Sequence, residues 1–491
     1  NIHLLIRREK NDMGTLSFKI ALKNNLYGVD QSDKFFCKKL QLNEDMVSLK
    51  VRVLYNSSAY CQLPFALFDP DRKLRMLKTG EGGVGIVETE CSVSHNSADK
   101  GGIPGVLKKG TWILIIHKRR MGSNANADIC VTWKEGRRDV EPTTLSFSKH
   151  IIKKTPGWYC GELHVHSNHS TGRDSIATIL EVAKKEKLDF ISITDHFTVS
   201  HWMEEEFYKN DEILMLQAME LSGDRGHANL QGIKEMKNPY VDDDGFLAQI
   251  FGVDNLPDMA NIADEVHNEG GLFTINHADG DGISAWRYHD FPLEKADLFE
   301  AWTTATKDFS MRLPAIWDNI LNQGIRLIGV ASSDSHKATE HPFWALGKLR
   351  TWVYAKELSQ KGIIEGLKRG NVYMAKGDTR LIFEAISNPK VYHMGEVAGK
   401  AEDTVFHIKL ENVPRGNLFI YIGGQLENSI YFKDGAPIEY EFSIKSKLTS
   451  LKEHYVRIEY YEMPQEPKYW GDVLRTQSTL LLLSNPIWLK K

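Results

Sequence analysis

The chain has 491 residues, 42% of them hydrophobic and 26% charged, with a formal net charge of -4. That length is more than one core can use, and the near-neutral balance argues against a basic footprint for nucleic acid or an anionic membrane. Five scattered cysteines with no CxxC pair fit reduced thiols, and no run reaches the ~18 apolar residues of a membrane helix.

Residues 1–154 predict an N-terminal β-sandwich. The run VSLKVRVLY alternates, with Val47, Leu49, Val51, Val53 and Tyr55 on one face. GTWILIIHKRR and ADICVTWKEG read as further strands, separated by turn-rich TGEGGVG, DKGGIPG and MGSNANAD. The opening NIHLLIRREKND has no signal-peptide apolar stretch, which favours a cytoplasmic location.

Residues 155–385 change character. GELHVH, LDFISITDH, EILMLQAMEL, GGLFTINHA, ADLFEAW, IRLIGVASSDSH and LRTWVYA read as strands. Between them SIATILEVAKKEK, PDMANIADEVHNEG, LPAIWDNILNQG and SQKGIIEGLKRG carry helical periodicity, the first with Ile176, Ile179, Leu180 and Ala183 on one face. Alternating β and α predicts parallel strands with helices outside, as a barrel-like α/β fold or an open doubly wound sheet. Residues 386–491 return to β patterns in FHIKLENV, LFIYIGG, YEFSIKS and YVRIEYYE, and predict a small C-terminal β domain.

Almost every central strand ends in a metal-ligand residue type. His164 and His166 end the first strand, Asp195 and His196 the second, and Glu220 the third, with His227 just beyond. His277 ends the fourth, and Asp334 and His336 follow the sixth. Parallel strands bring their C-terminal ends to one face, where barrel enzymes keep their sites. So many imidazoles and carboxylates in one place are costly to desolvate unless a cation neutralises them. In a strand, i and i+2 share a face, so His164 and His166 point inward while Leu163 and Val165 meet helices; Asp334 and His336 repeat the spacing. Mixed imidazole and carboxylate donors suit Zn, Mn or Fe. Eleven of the 18 histidines lie between 164 and 341. Of these, His267 reads as surface or packing, and His201, His289 and His341 as loop residues with a substrate or supporting role. His3, His95, His117, His150, His393, His407 and His454 read as structural.

ELHVHS, ITDH, MEL followed by GHAN, INH and SSDSH, in that order, resemble the PHP (polymerase and histidinol phosphatase) superfamily. GWYCGELHVHS entered from a β-rich domain, and SNPIWL near the end, resemble its carbaryl hydrolase-type (CehA/McbA) branch. The resemblance implies a distorted (β/α)7 barrel holding two or three divalent metal ions. It implies His164 and His166 on a first metal, Glu220 bridging, His227 and His277 on a second, Asp334 sharing the first, and His196 and His336 at a third. Asp195 would ligate or orient a neighbour. One stretch departs from the pattern: HVHSNHSTG has Thr171 and Gly172 where an Asp or His is expected, and His169 is the nearest substitute.

The expected chemistry is hydrolysis of a small-molecule substrate by a metal-bound hydroxide, with Asp195 or His336 moving protons. No GxSxG elbow is present, and no cysteine ends a barrel strand, so a covalent route is not expected. Phosphate recognition would use Arg173 and Arg225, with Arg287, Lys307 and Arg312 as further cations. Trp202, Trp286, Trp302 and Trp344 could instead wall an aryl group for ester or carbamate hydrolysis. Three readings stand: a phosphoesterase, a carboxylester or carbamate hydrolase, and a non-catalytic barrel with β binding modules. A homo-oligomer is compatible with any of them.

Overall fold

The computed structural model describes residues 5–9, 13–23, 35–78, 83–118, 122–136, 150–223, 225–237, 259–280, 285–304, 312–339, 345–444, 454–466 and 479–490. His3, Lys307, His341 and Trp344 lie outside them.

The N-terminal region is a pair of antiparallel sheets. A five-stranded sheet runs Leu5–Glu9, Met13–Leu22, Ala125–Glu135, Met46–Cys61, Gly83–Ser94; a four-stranded one runs Phe35–Leu42, Gly110–His117, Phe65–Phe68, Leu74–Lys78. The alternation in Met46–Cys61 buries Leu49, Val51, Val53 and Tyr55 against Trp112, Leu114 and Ile116 of the other sheet. The outer face of the four-stranded sheet is also apolar. Ala66, Phe68, Leu74, Leu77, Ile113 and Ile115 there pack on Phe197 and Met236 of the central region. Gly101 N–H donates to Ser200 Oγ across the same contact at 2.9 Å.

The central strands differ from the expected ring of seven parallel strands. They form two sheets. One is Ala218–Gly223, Gly226–Gln231, Leu272–Ile275, Leu298–Thr303, Ile328–Ser332. The other begins Leu214–Leu216, Phe190–Ile193, Gly157–Val165, Leu349–Ala355, Val372–Lys376. Parallel pairs occur in each, but Gly226–Gln231 is antiparallel to both its neighbours, and Leu349–Ala355 is antiparallel to both Gly157–Val165 and Val372–Lys376. Only residues 224 and 225 separate Ala218–Gly223 from the next strand, too few for a crossover, so the pair is a hairpin. The expected strand EILMLQAMEL is broken at Gln217 into Leu214–Leu216 and Ala218–Gly223, and the break hands the chain from one sheet to the other. Two isolated parallel bridges, Val165 to Ser335 and His196 to Glu220, join the sheets at their C-terminal ends.

Helices cover the outside where the periodicity places them, at Ile176–Lys185, Met259–Asn268, Arg312–Leu321 and Gln360–Arg369. The first buries Ile176, Ile179, Leu180 and Ala183, and Ser175 caps it by accepting from Thr178 N–H. No described helix is long and apolar enough to cross a membrane. All five cysteines are unpaired.

The larger sheet runs on past the boundary expected at 385. Val372–Lys376 pairs with Thr479–Ser484, then Tyr455–Glu462, Gly416–Ile422 and Gln425–Phe432 follow. Asn485, within SNPIWL, is fully buried; its Oδ1 accepts from Gly329 N–H at 2.8 Å and its Nδ2 donates to Gly329 O and Val372 O. A buried ionic network ties the same region to helix Arg312–Leu321. Arg457 donates to both oxygens of Asp318, at 2.8 and 2.6 Å, and to Glu459 at 2.6 Å, while Tyr455 Oη donates to Asp318 at 2.8 Å. Removing one member of such a buried set leaves an uncompensated charge. Asp318→Ala is expected to cost about 3–5 kcal/mol in denaturant unfolding. A loss below about 1 kcal/mol would show that the network contributes no more than a surface pair.

Candidate metal centre

The ligand-type residues sit where the two sheets meet. Strand Gly157–Val165 is buried along its length, and its alternation aims Glu162, His164 and, just past its end, His166 into the interior. His166 N–H donates to Ser335 O at 2.9 Å, which draws the segment with Asp334 and His336 alongside. Glu220 N–H donates to Asp195 O and Phe197 N–H to Glu220 O, which draws His196 to Glu220. His277 (φ 23), Asp334 (φ 51) and Phe197 (φ 56) lie at positive φ, uncommon for any residue but glycine and most costly for a bulky one such as Phe197. Two of the three are ligand candidates and the third follows one.

His164 Nε2 lies 3.2 Å from His166 Nε2, 3.2 Å from Asp334 Oδ1 and 3.5 Å from Glu220 Oε1. His166 Nε2 is 3.0 Å from Asp334 Oδ1. Glu220 is the hub: its oxygens meet His196 Nδ1 at 2.6 Å, His227 Nδ1 at 3.1 Å and His277 Nε2 at 3.7 Å. Four sets have their donor atoms mutually within 4.8 Å: His164, His166 and Glu220; Glu220, His227 and His277; His164, His277 and Asp334; His166, His196 and His336. All eight residues named as ligands from the sequence are in these sets. The floor (His164, His166, Glu220, His277) is sealed, whereas the His336 side chain is 43% exposed, so the site opens on the His336 side.

The electrostatics follow from burial. Desolvation would raise the Glu220 and Asp334 carboxyls, but surrounding imidazoles, His196 first for Glu220 and His164 first for Asp334, hold both well below the usual range. Burial pushes His166 down to about 3, reinforced by His336 and His196, and His227 down to about 4. Burial also acts to lower His277, yet Glu220, Glu300 and Asp334 raise it to about 8; His164 is likewise raised, by Asp334, Glu300 and Glu220. The donor set fits a divalent cation. Two Nε2 atoms at 3.2 Å share one carboxylate oxygen, and His227 Nε2 is buried with no hydrogen-bond partner.

Other candidates sit elsewhere. The Asp195 carboxylate is turned to the 167–170 loop. It accepts from Ser167 N–H at 2.8 Å, Ser167 Oγ at 2.5 Å and Ser170 Oγ at 2.6 Å, and lies 3.2 Å from His201 Nδ1. It belongs to none of the ligand sets. His169 also lies outside them, its ring nitrogens on Ser200 Oγ at 2.8 Å and Glu204 Oε1 at 3.0 Å. Arg225 is bonded to Asp290 and stacked 4.6 Å from Tyr288, so its fork is already engaged. Arg173 is exposed, and its N–H donates to His336 O at 2.8 Å, which seats it beside the open side. Trp202 and Trp302 are core residues, and Trp286 is half-buried beside the His277 segment, its backbone N–H donating to Ala278 O, and packs on Phe273, Tyr288 and Phe291. Sequence reasoning passed over Glu300, Asn276 and Ser222, which bond His164, Glu220 and His196 respectively. The available signal was a polar residue inside or just after an otherwise apolar strand.

No protein-family model and no curated protein matches the chain. Among solved structures, a two-domain protein from Bacteroides vulgatus, described as containing a predicted PHP-like metal-dependent phosphoesterase, is 15% identical over 66% of this chain and 95% of its own, with a TM-score of 0.38. A candidate metal-dependent phosphoesterase from Bifidobacterium adolescentis is 15% identical over 38% of this chain and 90% of its own (TM-score 0.29). An amidohydrolase from Chromobacterium violaceum, with bound sulfate and no metal, is 14% identical over 38% and 89% (TM-score 0.28). Similarities this low assign neither family nor activity.

His164 and His277 must each shed a proton before ligating. Titrating the apo protein with Mn2+ near pH 7 is therefore expected to release protons, fewer near pH 9, with apparent affinity rising as pH passes about 8. Calorimetry in buffers of different ionisation enthalpy checks this; identical heats in all buffers would contradict it.

Proposed function

We propose that the protein is a metal-dependent hydrolase of phosphate esters. The observation that carries this reading is the convergence of eight imidazole and carboxylate residues, with four three-ligand sets, on the ends of two sheets. His164, His166, Glu220 and Asp334 would hold one divalent ion (Mn, Zn or Fe), and Glu220, His227 and His277 a second. His166, His196 and His336 would hold a third at the open side. Bound divalent ions supply Lewis acidity and lower the pKa of an adjacent water.

The chain's own groups do the rest. Glu220, fixed by the Asn276 side-chain amide at 2.9 Å, keeps the imidazoles around it in place. The His336 ring has Nδ1 on Asp334 O at 3.0 Å, which leaves Nε2 to ligate or to pass a proton to a leaving oxygen. Arg173 is suited to a phosphoryl oxygen by charge and by its seat next to His336.

The test is turnover of p-nitrophenyl phosphate, bis-p-nitrophenyl phosphate, 1-naphthyl acetate and 1-naphthyl N-methylcarbamate, with Mn2+ or Zn2+ and with chelator. Chelator-sensitive nitrophenol release that is abolished in His164→Ala/His166→Ala is expected. Naphthol release alone would move the protein to ester or carbamate hydrolysis. Arg173→Ala is expected to raise KM for the phosphate substrate about tenfold with kcat little changed, the ~1.5 kcal/mol of one charge-assisted hydrogen bond. An unchanged KM would remove Arg173 from substrate recognition.

A further inference from the structure

Strand Leu298–Thr303 reads LFEAWT, and all six residues are buried. Glu300 is its one ionisable group and is 1% exposed. A carboxylate there is costly unless both oxygens are satisfied, and both are. Oε1 lies 2.7 Å from His164 Nδ1, and Oε2 accepts from the backbone N–H of His277 at 2.7 Å. Glu300, 136 residues after His164 in sequence, thereby grips two ligand candidates from two different strand ends.

The two contacts do different things. A carboxylate only accepts, so His164 Nδ1 carries the hydrogen and, in the neutral ring, Nε2 carries the lone pair. Nε2 is the atom facing His166, Asp334 and Glu220. The second contact falls on His277, whose φ of 23 places it in the left-handed region, and the bond to its N–H helps hold that conformation. Glu300 lies on the far side of the His164 ring from the ligand sets and belongs to none of them.

We propose that Glu300 is the positioning residue of the centre: it sets the His164 tautomer and the His277 backbone for metal capture without touching metal or substrate. This role rests on the metallohydrolase reading.

Glutamine makes a sharp probe, because it offers one accepting oxygen and one NH2. Whichever way it turns, a donor faces either His164 Nδ1–H or His277 N–H. The full-length wild type, Glu300→Gln and Glu300→Asp are compared by Mn2+ affinity, by the visible absorption of the Co2+-loaded protein, and by thermal unfolding of the metal-free form. Glu300→Gln is expected to weaken Mn2+ binding about 10–100-fold and to change the Co2+ spectrum. Its metal-free unfolding should stay cooperative. If Glu300→Gln does not fold, Glu300→Asp decides, since it keeps the charge but draws back from His164 and should lose affinity in the same direction. Wild-type affinity and an unaltered Co2+ spectrum in the folded variant, with only a lower unfolding midpoint, would reduce Glu300 to a structural part and overturn the proposal. A wild type that takes up no metal would overturn the metallohydrolase reading itself, and this role with it.

Discussion

Glu220 keeps a negative charge with 1% of its surface exposed, and the centre is arranged around the cost of doing so. Water would stabilise that charge by several kcal/mol, and inside the protein the work falls to imidazoles. His196, His164, His227 and His277 all approach its oxygens, and each must then be held by something else because an imidazole swings freely about its side-chain bonds. His164 is held by Glu300, and His196 by Ser222. The strain at His277 and Asp334 belongs to the same account, since turning a non-glycine backbone into the left-handed region aims a side chain that ordinary strand geometry would send elsewhere.

The flanking regions enter this arrangement physically. The loop from Phe197 to Glu204 begins one residue after His196. It is pressed by the outer face of the N-terminal sandwich at Phe197 and tied to it through Ser200. Ser200 also bonds His169, and Asp195 bonds Ser167 and Ser170, so the segment after His166 and the segment after His196 are one hydrogen-bonded unit. On the other side, the C-terminal strands prolong the central sheet, and helix Arg312–Leu321 is pinned to them through Asp318.

Much of the centre was legible because its chemistry conflicts with its setting. Histidines and acids at the ends of apolar strands each have an ordinary structural reading, so His164, His166, Glu220, His277 and Asp334 stood out as a set in one region rather than singly. Helix faces were legible for a local reason: Ile176, Ile179, Leu180 and Ala183 repeat with the helical period and are buried. What did not show depended on distance or direction. GHANLQ lacks the apolar run that marks a buried strand, so the residues around His227 read as a loop, whereas Gly226–Gln231 is an antiparallel strand returning from a two-residue hairpin. Asp195, just past the end of Phe190–Ile193, and Glu300, within Leu298–Thr303, are both acids near ligand candidates. Only their partners separate the one that shapes a loop from the one that grips two histidines. The tryptophans were ambiguous because an indole beside a site and an indole beneath it have the same sequence surroundings.

Asn485 gives the arrangement an order in time. Strand Ile328–Ser332 leads directly to Asp334 and His336, yet its Gly329 is bonded on both backbone groups by a side chain 156 residues further along. A ribosome makes the N-terminal sandwich first and adds about 5–20 residues each second. Until residue 485 has left the exit tunnel, Gly329 lacks that brace and the sheet lacks its neighbour Thr479–Ser484 beside Val372–Lys376. Strand Ile328–Ser332, which leads to Asp334 and His336, therefore gains this brace only after residue 485 has been made.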